Sequence, residues 1–281
     1  MPSRVVLITG CSSGIGAAAA RAFHAGGHTV YATARRVESL AGLVDEGLFV
    51  LPLDVLDDDS MRAAVGAVES RHGAVDVLVN NAGYGLQAPV EEADLADVRR
   101  QFETNVFGVV RLTQLVLPAM RSRRWGRIIN VSSMAGRFTL PGGGFYHATK
   151  HAVEALSDAL RLEVASFGVG VSLIEPGPVL TEFGATSIST IDEQGSAGPG
   201  GPYDDFKQRL ALAYAGAYDG RRRNLASSAD TVAAVIVKAA DARRPRARYV
   251  VGPVAHAVVA SRRLLPDRIF DAVIRSQFPT P

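Results

Sequence analysis

Two hydrophobic patterns alternate along the chain as far as Thr181. Short runs of almost wholly apolar residues predict strands buried on both faces, and longer segments with helical apolar spacing predict helices between them. The predicted strands are Val5–Ile8, Thr29–Thr33, Leu48–Leu53, Val75–Val79, Arg127–Val131 and Val169–Ile174. The predicted helices are about Ile15–Ala25, Ser60–Arg71, Leu95–Met120 and Phe145–Ser166. Because this alternation implies right-handed crossovers, we expect an α/β fold, a doubly wound parallel sheet in a single domain.

The pattern changes after Thr181. Residues Gly184–Pro202 are rich in Gly, Ser, Thr and Pro, and a helical pattern follows over about Asp204–Ala217. A structureless loop of this length in a compact domain is usually functional or disordered, so we predict a mobile substrate lid over residues 183–228. A plain surface excursion is the alternative. Residues 1–182 would then form the nucleotide-binding and catalytic core, and residues 229–281 a C-terminal helix, strand and tail.

Composition narrows the class of protein. The chain has 281 residues, 47% of them hydrophobic, and a formal net charge of +2 at pH 7. Its arginine clusters are scattered, which speaks against a nucleic-acid partner. Cys11 is the one cysteine and cannot form an internal disulfide. The apolar run before Thr9 is too short for a signal peptide, and no apolar run has the length of a membrane span. We therefore expect a soluble cytoplasmic protein.

A glycine-rich turn follows the first predicted strand. The sequence there is TGCSSGIG, and a predicted helix begins at its end. Glycine allows a tight turn and close backbone approach to a pyrophosphate, and a helix N-terminus attracts phosphate. The spacing differs from the G-x-G-x-x-G of the standard dinucleotide motif, but its place in the α/β pattern predicts a Rossmann-type nucleotide site. We expect cofactor contacts from Gly10, Ser12, Ser13, Gly14, Ile15 and Gly16.

The ends of the second and third strands predict the type of nucleotide. Ala34 stands where an acidic residue would bind the ribose hydroxyls of NAD, and Arg35 and Arg36 follow it. Guanidinium groups suit a 2′-phosphate by charge and geometry, so NADP (as NADPH) is predicted in preference to NAD. Asp54, after the third strand, is placed to accept a hydrogen bond from the adenine amino group, with a helix N-cap as the alternative.

A phenol and an amine form the candidate proton-transfer group. Tyr146 and Lys150 are four residues apart in a predicted helix, so their side chains share one face. The ammonium favours the phenolate and lowers the pKa of the tyrosine. Ser133, from the preceding loop, could hold a substrate oxygen against the phenol. This arrangement predicts acid/base chemistry on an alcohol or carbonyl.

Together these motifs resemble the short-chain dehydrogenase/reductase family. TGCSSGIG is similar to its nucleotide turn, and Tyr146-x-x-x-Lys150 with Ser133 to its catalytic motif. Further matches are Asp54-Val55, Asn81-Ala82-Gly83 after Asn80, Asn105, Pro176-Gly177, Val179 and Thr181. Phrases such as VYATARR look closest to the branch with hydroxysteroid and retinol dehydrogenases. Ser13 is a departure, because NADP-preferring members often have a basic residue there, and this leaves the 2′-phosphate to Arg35 and Arg36.

The resemblance implies roles for these residues. Ser133 would bind the substrate oxygen, Tyr146 would transfer the proton, and Lys150 would bind the nicotinamide ribose. Asn105 would hold a water that links Lys150 to solvent. Asp54 with Val55 would form the adenine site, and a further set would line the cofactor: Asn81, Ala82, Gly83, Pro176, Gly177, Val179 and Thr181. The resemblance also implies a homodimer or homotetramer built on the two long helices.

Three other interpretations remain open. His147 and His151 have the spacing of a helical zinc pair but lack a third ligand nearby, so we expect no metal and a helix-packing or subunit-contact role. A catalytically silent dinucleotide-binding regulator is the alternative function. The apolar and basic stretch Val254–Phe278 suggests a membrane-surface or scaffold role, but Pro266 interrupts it and packing against the core is simpler.

The substrate is predicted from its pocket. We expect its walls to come from Tyr84–Pro89, Met134–Gly144 and the lid. Apolar side chains there favour a lipophilic alcohol or ketone: Leu86, Phe138, Leu140, Phe145 and Phe183.

Overall fold

A seven-stranded sheet is the centre of the protein. The computed structural model describes residues 3–193, 201–218 and 226–278. Its strands are β1 (Val5–Ile8), β2 (Thr29–Ala34), β3 (Phe49–Pro52), β4 (Val77–Asn80), β5 (Gly126–Val131), β6 (Val169–Pro176) and β7 (Arg248–Val251). They lie in the order β3-β2-β1-β4-β5-β6-β7, and every neighbouring pair is parallel. The order reverses between β1 and β4, which is where such sheets bind ligands.

Helices lie on both faces of this sheet. They are α1 (Gly14–Ala25), α2 (Ala41–Asp45), α3 (Asp58–His72), α4 (Leu95–Phe102), α5 (Gly108–Arg123), α6 (Gly144–Glu163), α7 (Glu182–Glu193), α8 (Asp204–Tyr218), α9 (Ala229–Asp241), α10 (Pro253–Leu264) and α11 (Asp267–Gln277). Val6 and Ile8 of β1 are buried with α1 and α9, whereas Leu7 is buried with α3 and α5. A strand with both faces buried is apolar throughout, so the predicted doubly wound sheet is confirmed.

The predicted helix Leu95–Met120 is not one continuous helix. One π-helical turn, Glu103–Phe107, separates α4 from α5. Asn105 lies in this turn and is 1% exposed. Its amide bonds the backbone of Tyr84, a tertiary contact that helical periodicity does not reveal. Such bulges occur often at functional positions.

The structureless loop predicted over Gly184–Pro202 is wrong for its first ten residues, because α7 extends through Glu193. The apolar side chain of Ile191 is buried against Phe206 and Leu210 of α8. Thr190 accepts a hydrogen bond from the backbone of Gln87. These contacts stabilise a helix that the Gly, Ser and Thr content disfavours. Residues 194–200, also within the predicted loop, lie outside the described residues.

The C-terminal segment packs against the rest of the protein. Pro266 separates α10 from α11 and is the N-cap residue of α11. Phe270 is 6% exposed, and its ring meets the ring of Phe138 edge-on with centroids 6.2 Å apart. These contacts favour the core-packing interpretation of this stretch. Within the parts of the chain that the structure describes, no helix combines the length and the apolar character needed to cross a membrane.

Candidate active site

A cleft of about 1440 Å³ lies beyond the carboxyl ends of the strands. Its walls bring together residues from the glycine turn, the ends of β2 to β6 and the helices that follow. Of the predicted site residues, these line it: Gly10, Ser12, Ser13, Gly14, Ile15, Arg35, Asp54, Val55, Asn81, Ala82, Gly83, Ser133, Tyr146, Lys150, Pro176, Gly177, Val179 and Thr181. Gly16, Arg36 and Asn105 are not among the lining residues.

The glycine turn forms a close backbone approach to β4. Gly10 and Gly14 have φ angles of +71° and +57°, which L side chains rarely adopt. A Cβ on Gly16 would lie 2.2 Å from the carbonyl oxygen of Gly10. Gly16 therefore acts behind the cleft, by letting α1 pack against the turn. The first turn of α1 thus faces the cleft with its N–H groups, as a phosphate requires.

Cys11 fills space inside this turn. Its thiol is 1% exposed and donates to the carbonyl oxygen of Ile8 at 3.3 Å. Burial raises the pKa of the Cys11 thiol to about 12, so the thiolate needed for redox chemistry is disfavoured. These contacts give Cys11 a packing role.

Asn81 fastens the end of β4 to the glycine turn. Its side-chain amide donates to the carbonyl oxygens of Thr9 and Gly10 at 2.9 and 3.1 Å. The Thr9 hydroxyl in turn accepts from the backbone N–H groups of Asn81 and Ala82, both at 3.0 Å. Sequence reasoning did not predict that Thr9 contributes to the site. Its position directly before Gly10 was the signal that could have indicated this. Asn80 points elsewhere and donates to Asn130 at 2.8 Å within the core.

The cleft contains no carboxylate from β2. Ala34 ends that strand and lines the cleft beside Arg35. The backbone carbonyl of Arg36 accepts from the Ser39 hydroxyl at 2.6 Å, as part of a short helical turn. Asp54 lines the cleft and accepts from the backbone N–H of Leu56 at 3.0 Å. The alternative interpretation of Asp54 as a helix N-cap is wrong, because Asp57 caps α3.

Tyr146 and Lys150 lie in the first two turns of α6. The Lys150 ammonium is 5.7 Å from the centre of the Tyr146 ring and donates to the Val131 carbonyl oxygen at 2.9 Å. Burial lowers the pKa of Lys150 to about 8, and the charge of Glu154, one turn further along α6, acts in the opposite direction. A charged lysine beside a phenol is the arrangement that favours proton transfer.

Ser133 sits at the end of β5 beside the same cleft. Its hydroxyl oxygen accepts from the backbone N–H of Ala135 at 3.1 Å and donates to the Pro176 carbonyl oxygen at 3.5 Å. The serine is therefore held between the ends of β5 and β6. Its remaining lone pair and its rotatable proton suit a ligand oxygen.

Asn105 contacts α6 through Thr149, the residue before Lys150. Its amide nitrogen donates to the Tyr84 carbonyl oxygen at 2.8 Å and to the Thr149 hydroxyl at 3.2 Å. A Cβ on Gly83 would lie 2.9 Å from Asn105 Oδ1 and 4.0 Å from Lys150 Nζ. The missing side chain at Gly83 thus leaves space between the amide and the ammonium. A water there is compatible with the predicted role of Asn105.

His147 and His151 are occupied by packing contacts. His147 is 2% exposed, and its Nδ1 lies 2.6 Å from the Phe138 carbonyl oxygen. Burial lowers the pKa of His147 to about 4, so the ring is neutral at physiological pH. His151 Nδ1 lies 2.9 Å from the His147 carbonyl oxygen. In the described chain, no cluster of three or more His, Cys, Asp or Glu has metal-binding geometry.

An apolar arm extends from Tyr146 towards the C-terminal helices. Four of the predicted pocket residues line it, namely Leu86, Phe138, Leu140 and Phe183. Phe145 does not appear among the lining residues, since it precedes Tyr146 and lies on a different face of α6. Leu212 and Tyr214 of α8, within the predicted lid, also line it. Sequence reasoning missed the contribution of α10 and α11 and the residue that follows, which comes from Val254, Val258, Phe270, Val273, Ile274 and Phe278. Their apolar helical spacing was the available signal.

The residues present fit a nicotinamide dinucleotide. The glycine turn would receive the pyrophosphate and Asp54 the adenine, while Tyr146, Lys150 and Ser133 lie along the same cleft. A Cβ on Gly10 would lie 2.9 Å from Ala82 Cα, and the positive φ of Gly10 disfavours any other residue, so the turn lies directly against the residues after β4. Fold and site therefore define a dinucleotide-binding α/β protein with a proton-transfer group at its ligand cleft.

The chain belongs to the short-chain dehydrogenase family. A family model described as short chain dehydrogenase matches residues 4–192. The chain is 38% identical over 277 residues to 3-ketodihydrosphingosine reductase of Bacteroides thetaiotaomicron, covering 98% of each protein. It is 36% identical to NADPH-dependent 3-dehydrocapnine reductase of Ornithobacterium rhinotracheale, covering 96% of this chain and 95% of the relative. A solved serine dehydrogenase complexed with NADP+ is 31% identical with TM-score 0.76, covering 89% of this chain and 95% of that one.

These relationships establish the general activity. The protein is an oxidoreductase of the short-chain dehydrogenase family, with a nicotinamide nucleotide as cofactor. Similar solved structures contain either NADP or NAD.

Proposed function

We propose that this protein is an NADP(H)-dependent oxidoreductase that interconverts a secondary alcohol and a ketone (or aldehyde) on a lipophilic substrate. The observation that carries the proposal is the junction of Ser133 and Tyr146 with an apolar arm of the same cleft. A catalytically silent regulator would have no need for Tyr146, Lys150, Ser133 and Asn105 to converge on one site.

Each of these residues has its own role in the proposed reaction. Bound nicotinamide supplies or accepts the hydride. Ser133 donates a hydrogen bond to the substrate oxygen and orients it towards Tyr146. Tyr146 gives its hydroxyl proton to that oxygen during reduction and removes it during oxidation. Lys150 favours the phenolate by its charge and holds the nicotinamide ribose, while Asn105 and the space at Gly83 accommodate a water that returns the proton to Lys150.

A preference for NADP is supported at the end of β2. Ala34 leaves that position without a negative charge, and the exposed Arg35 lines the cleft directly after it. A 2′-phosphate gains a charge-assisted hydrogen bond from such a guanidinium. Arg36 is the weaker candidate, because it does not line the cleft. One similar structure contains NADP+, and one relative is named as NADPH-dependent.

A lipophilic substrate is supported by the apolar arm. Its walls combine aromatic and aliphatic side chains from six segments of the chain, among them Phe138, Phe183 and Ile274. Burial of alkyl surface is worth about 0.8 kcal/mol per CH₂ group, so a long chain would bind far more tightly than a short one. Two relatives are named as reductases of 3-ketodihydrosphingosine and 3-dehydrocapnine. We extend the reductase activity on a ketone to this chain.

A series of methyl ketones with increasing alkyl length tests the proposal. Oxidation of NADPH, followed by its absorbance, should be fastest for the long-chain ketones. Each added CH₂ should lower KM about 3- to 4-fold until the arm is filled. A matched sugar ketone or keto acid is the control and should be reduced poorly. Absence of turnover with every ketone, despite NADPH binding, would contradict the proposed function.

Helices α7 and α8 lie almost wholly within the predicted lid, residues 183–228. Lys207 of α8 forms an ion pair of 2.7 Å with Glu92, and Tyr214 donates to Gln87 at 2.8 Å. These polar contacts fasten α8 over the loop that follows β4. Polar contacts of this kind open at lower cost than a hydrophobic core, so we infer that α7 and α8 move to admit the substrate.

Limited trypsin digestion measures this motion. With NADPH and a long-chain ketone bound, cleavage after Lys207 and Arg209 should slow several-fold, because a closed lid opens less often. Cleavage after Arg243, in the exposed turn before β7, is the internal control and should not change. Equal cutting at Lys207 with and without ligands would exclude the lid.

We also propose that the protein associates into a homodimer or homotetramer. Phe107 beside α5, together with Leu156 and Leu162 of α6, is exposed by 54, 45 and 70%. An apolar surface beyond the one that covers the sheet requires a second partner. A twofold axis would pair this surface with its own copy.

Light scattering at micromolar concentration should give at least twice the monomer mass of 29.7 kDa. Leu162→Glu should shift the mass towards the monomer by placing a charge in the contact. Leu264→Glu, at a comparably exposed leucine of α10, is the control and should leave the mass unchanged. A monomer in the unmodified protein would refute this assembly.

A further inference from the structure

Two buried carboxylates lie between two arginines behind the cleft. The side chains of Glu154 and Glu175 are 7% and 1% exposed. Arg248 Nε is 2.9 Å from Glu154 Oε2 and 3.1 Å from Glu175 Oε1. Arg137 Nη1 approaches the same two oxygens at 3.6 and 3.9 Å. The two glutamates therefore share both arginines, and we call these four side chains the carboxylate cluster.

The carboxylate cluster joins the segments that carry the site residues. Arg137 follows the turn of Ser133, and Glu154 lies one helical turn after Lys150 on α6. Glu175 immediately precedes Pro176 at the end of β6. The cluster thus connects the serine turn, the helix of the tyrosine and lysine, and the strand end that would hold the nicotinamide.

Packing between the cluster and the serine turn is close. A Cβ on Gly136 would lie 2.8 Å from Glu154 Cγ and 3.1 Å from Ser132 Oγ. Glu154 therefore lies directly beneath the turn that positions Ser133. A change in the charge or position of Glu154 would be transmitted to the serine on one side and to Lys150 on the other.

Within this cluster, the pKa of Glu175 is shifted. Burial and the nearby Glu154 raise the pKa of Glu175 to about 7, against the opposing effect of Arg137 and Arg248. The Glu154 Oε1 atom is buried and receives no hydrogen bond from the described residues, and a proton on Glu175 would supply one. Two like charges at close range favour such sharing of a proton.

The remaining charged neighbours are Lys150 and Asp158, both on α6. Lys150 interacts with the charge of Glu154. Asp158 accepts from Arg248 Nη1 and Nη2 at 3.1 and 2.5 Å and is 39% exposed. Asp158 therefore binds the more exposed side of Arg248. Glu154 is the member of the carboxylate cluster that interacts with Lys150.

We propose that Glu154 and Glu175, held together by Arg137 and Arg248, are positioning residues that keep the ammonium on Lys150. This inference rests on the proposed function only where it concerns catalysis. Glu154 lies one helical turn from Lys150, and its negative charge opposes the effect of burial on that lysine. Burial and Glu154 raise the pKa of Glu175 to about 7, so the charge of the cluster changes near neutral pH, where Lys150 stays protonated. The charge of the lysine beside Tyr146 then depends on a group that does not itself enter the cleft.

Lysine NMR tests this proposal without an activity assay. The chain has three lysines, Lys150, Lys207 and Lys238, so a protein labelled at lysine ¹³Cε gives three signals. Lys207→Arg and Lys238→Arg assign the other two. In the unmodified protein, the Lys150 signal should show two inflections with pH, one from its own ionisation and a second near neutral pH from Glu175. A single inflection in the folded protein would overturn the proposal.

Variants distinguish charge from structure. Glu154→Gln should lower the pKa of Lys150 by at least about 1 pH unit, the least expected for loss of a close opposite charge. Glu175→Gln should remove the inflection near neutral pH. Asp158→Asn is the control: it also contacts Arg248, but it should leave the Lys150 titration unchanged. An equal shift in Asp158→Asn, or none in Glu154→Gln, would reject the assignment. Failure of the ketone assay with this titration intact would instead contradict the proposed function alone.

Discussion

Tyr146→Phe should lower kcat by at least about 100-fold while leaving the affinity for NADPH near that of the unmodified protein. Removal of a general acid typically costs about 10²- to 10⁴-fold in rate. The phenyl ring preserves the contact with the Phe183 ring, whose centroid is 5.5 Å away, so the apolar arm should keep its shape. The substitution removes the hydroxyl group and with it the transferable proton.

Steady-state kinetics and NADPH fluorescence titration measure these two quantities separately. Tyr31→Phe is the matched control, since its hydroxyl lies 2.9 Å from His72 Nε2, outside the cleft. It should retain nearly full kcat. Substantial turnover in Tyr146→Phe would show that another group supplies the proton.

Arg35→Ala should weaken NADPH binding by about 1–3 kcal/mol, or roughly 5- to 150-fold in Kd, and leave NADH binding almost unchanged. The two cofactors differ by the 2′-phosphate, so a selective loss reports on that group alone. In this variant, Arg36 is the remaining positive charge directly after β2, because Ala34 is uncharged.

Arg36→Ala separates a local contact from a general change in charge. Both variants remove one positive charge, but Arg36 is the N-cap residue of the short helix after β2 and does not line the cleft. Its loss should cost much less NADPH affinity. Equal losses of NADPH and NADH affinity in Arg35→Ala would mean that this guanidinium does not contact the 2′-phosphate.

Sequence periodicity predicted the parts of the fold that are buried on both sides. The run at β1 is wholly apolar, and β5 is buried along its whole length, because helices cover both faces of these strands, as is typical of a parallel sheet. Motif spacing likewise located Tyr146, Lys150 and Ser133, because residues at strand ends and within one helix are fixed by local geometry. Neither inference needed a contact between distant segments.

The remaining features depend on such contacts. Helix α7 forms where Ile191 meets α8 and Thr190 meets Gln87, although its composition resembles a loop. The π turn at Asn105 accompanies a bond to the backbone of Tyr84, which lies 21 residues earlier in the chain. The carboxylate cluster is assembled from four segments, so no local pattern marks Glu154 or Glu175 as a pair.

The division of the cleft along the chain has a consequence for how this enzyme could diversify. The residues proposed to transfer the proton and to bind the nucleotide all precede Glu182, whereas α7, α8, α10 and α11 contribute much of the apolar arm. Substitution in the last third of the chain can therefore alter which carbon skeleton is accepted while the reactive centre stays intact. Duplicated copies of such a gene could acquire new substrates by exchange of one contiguous stretch of coding sequence.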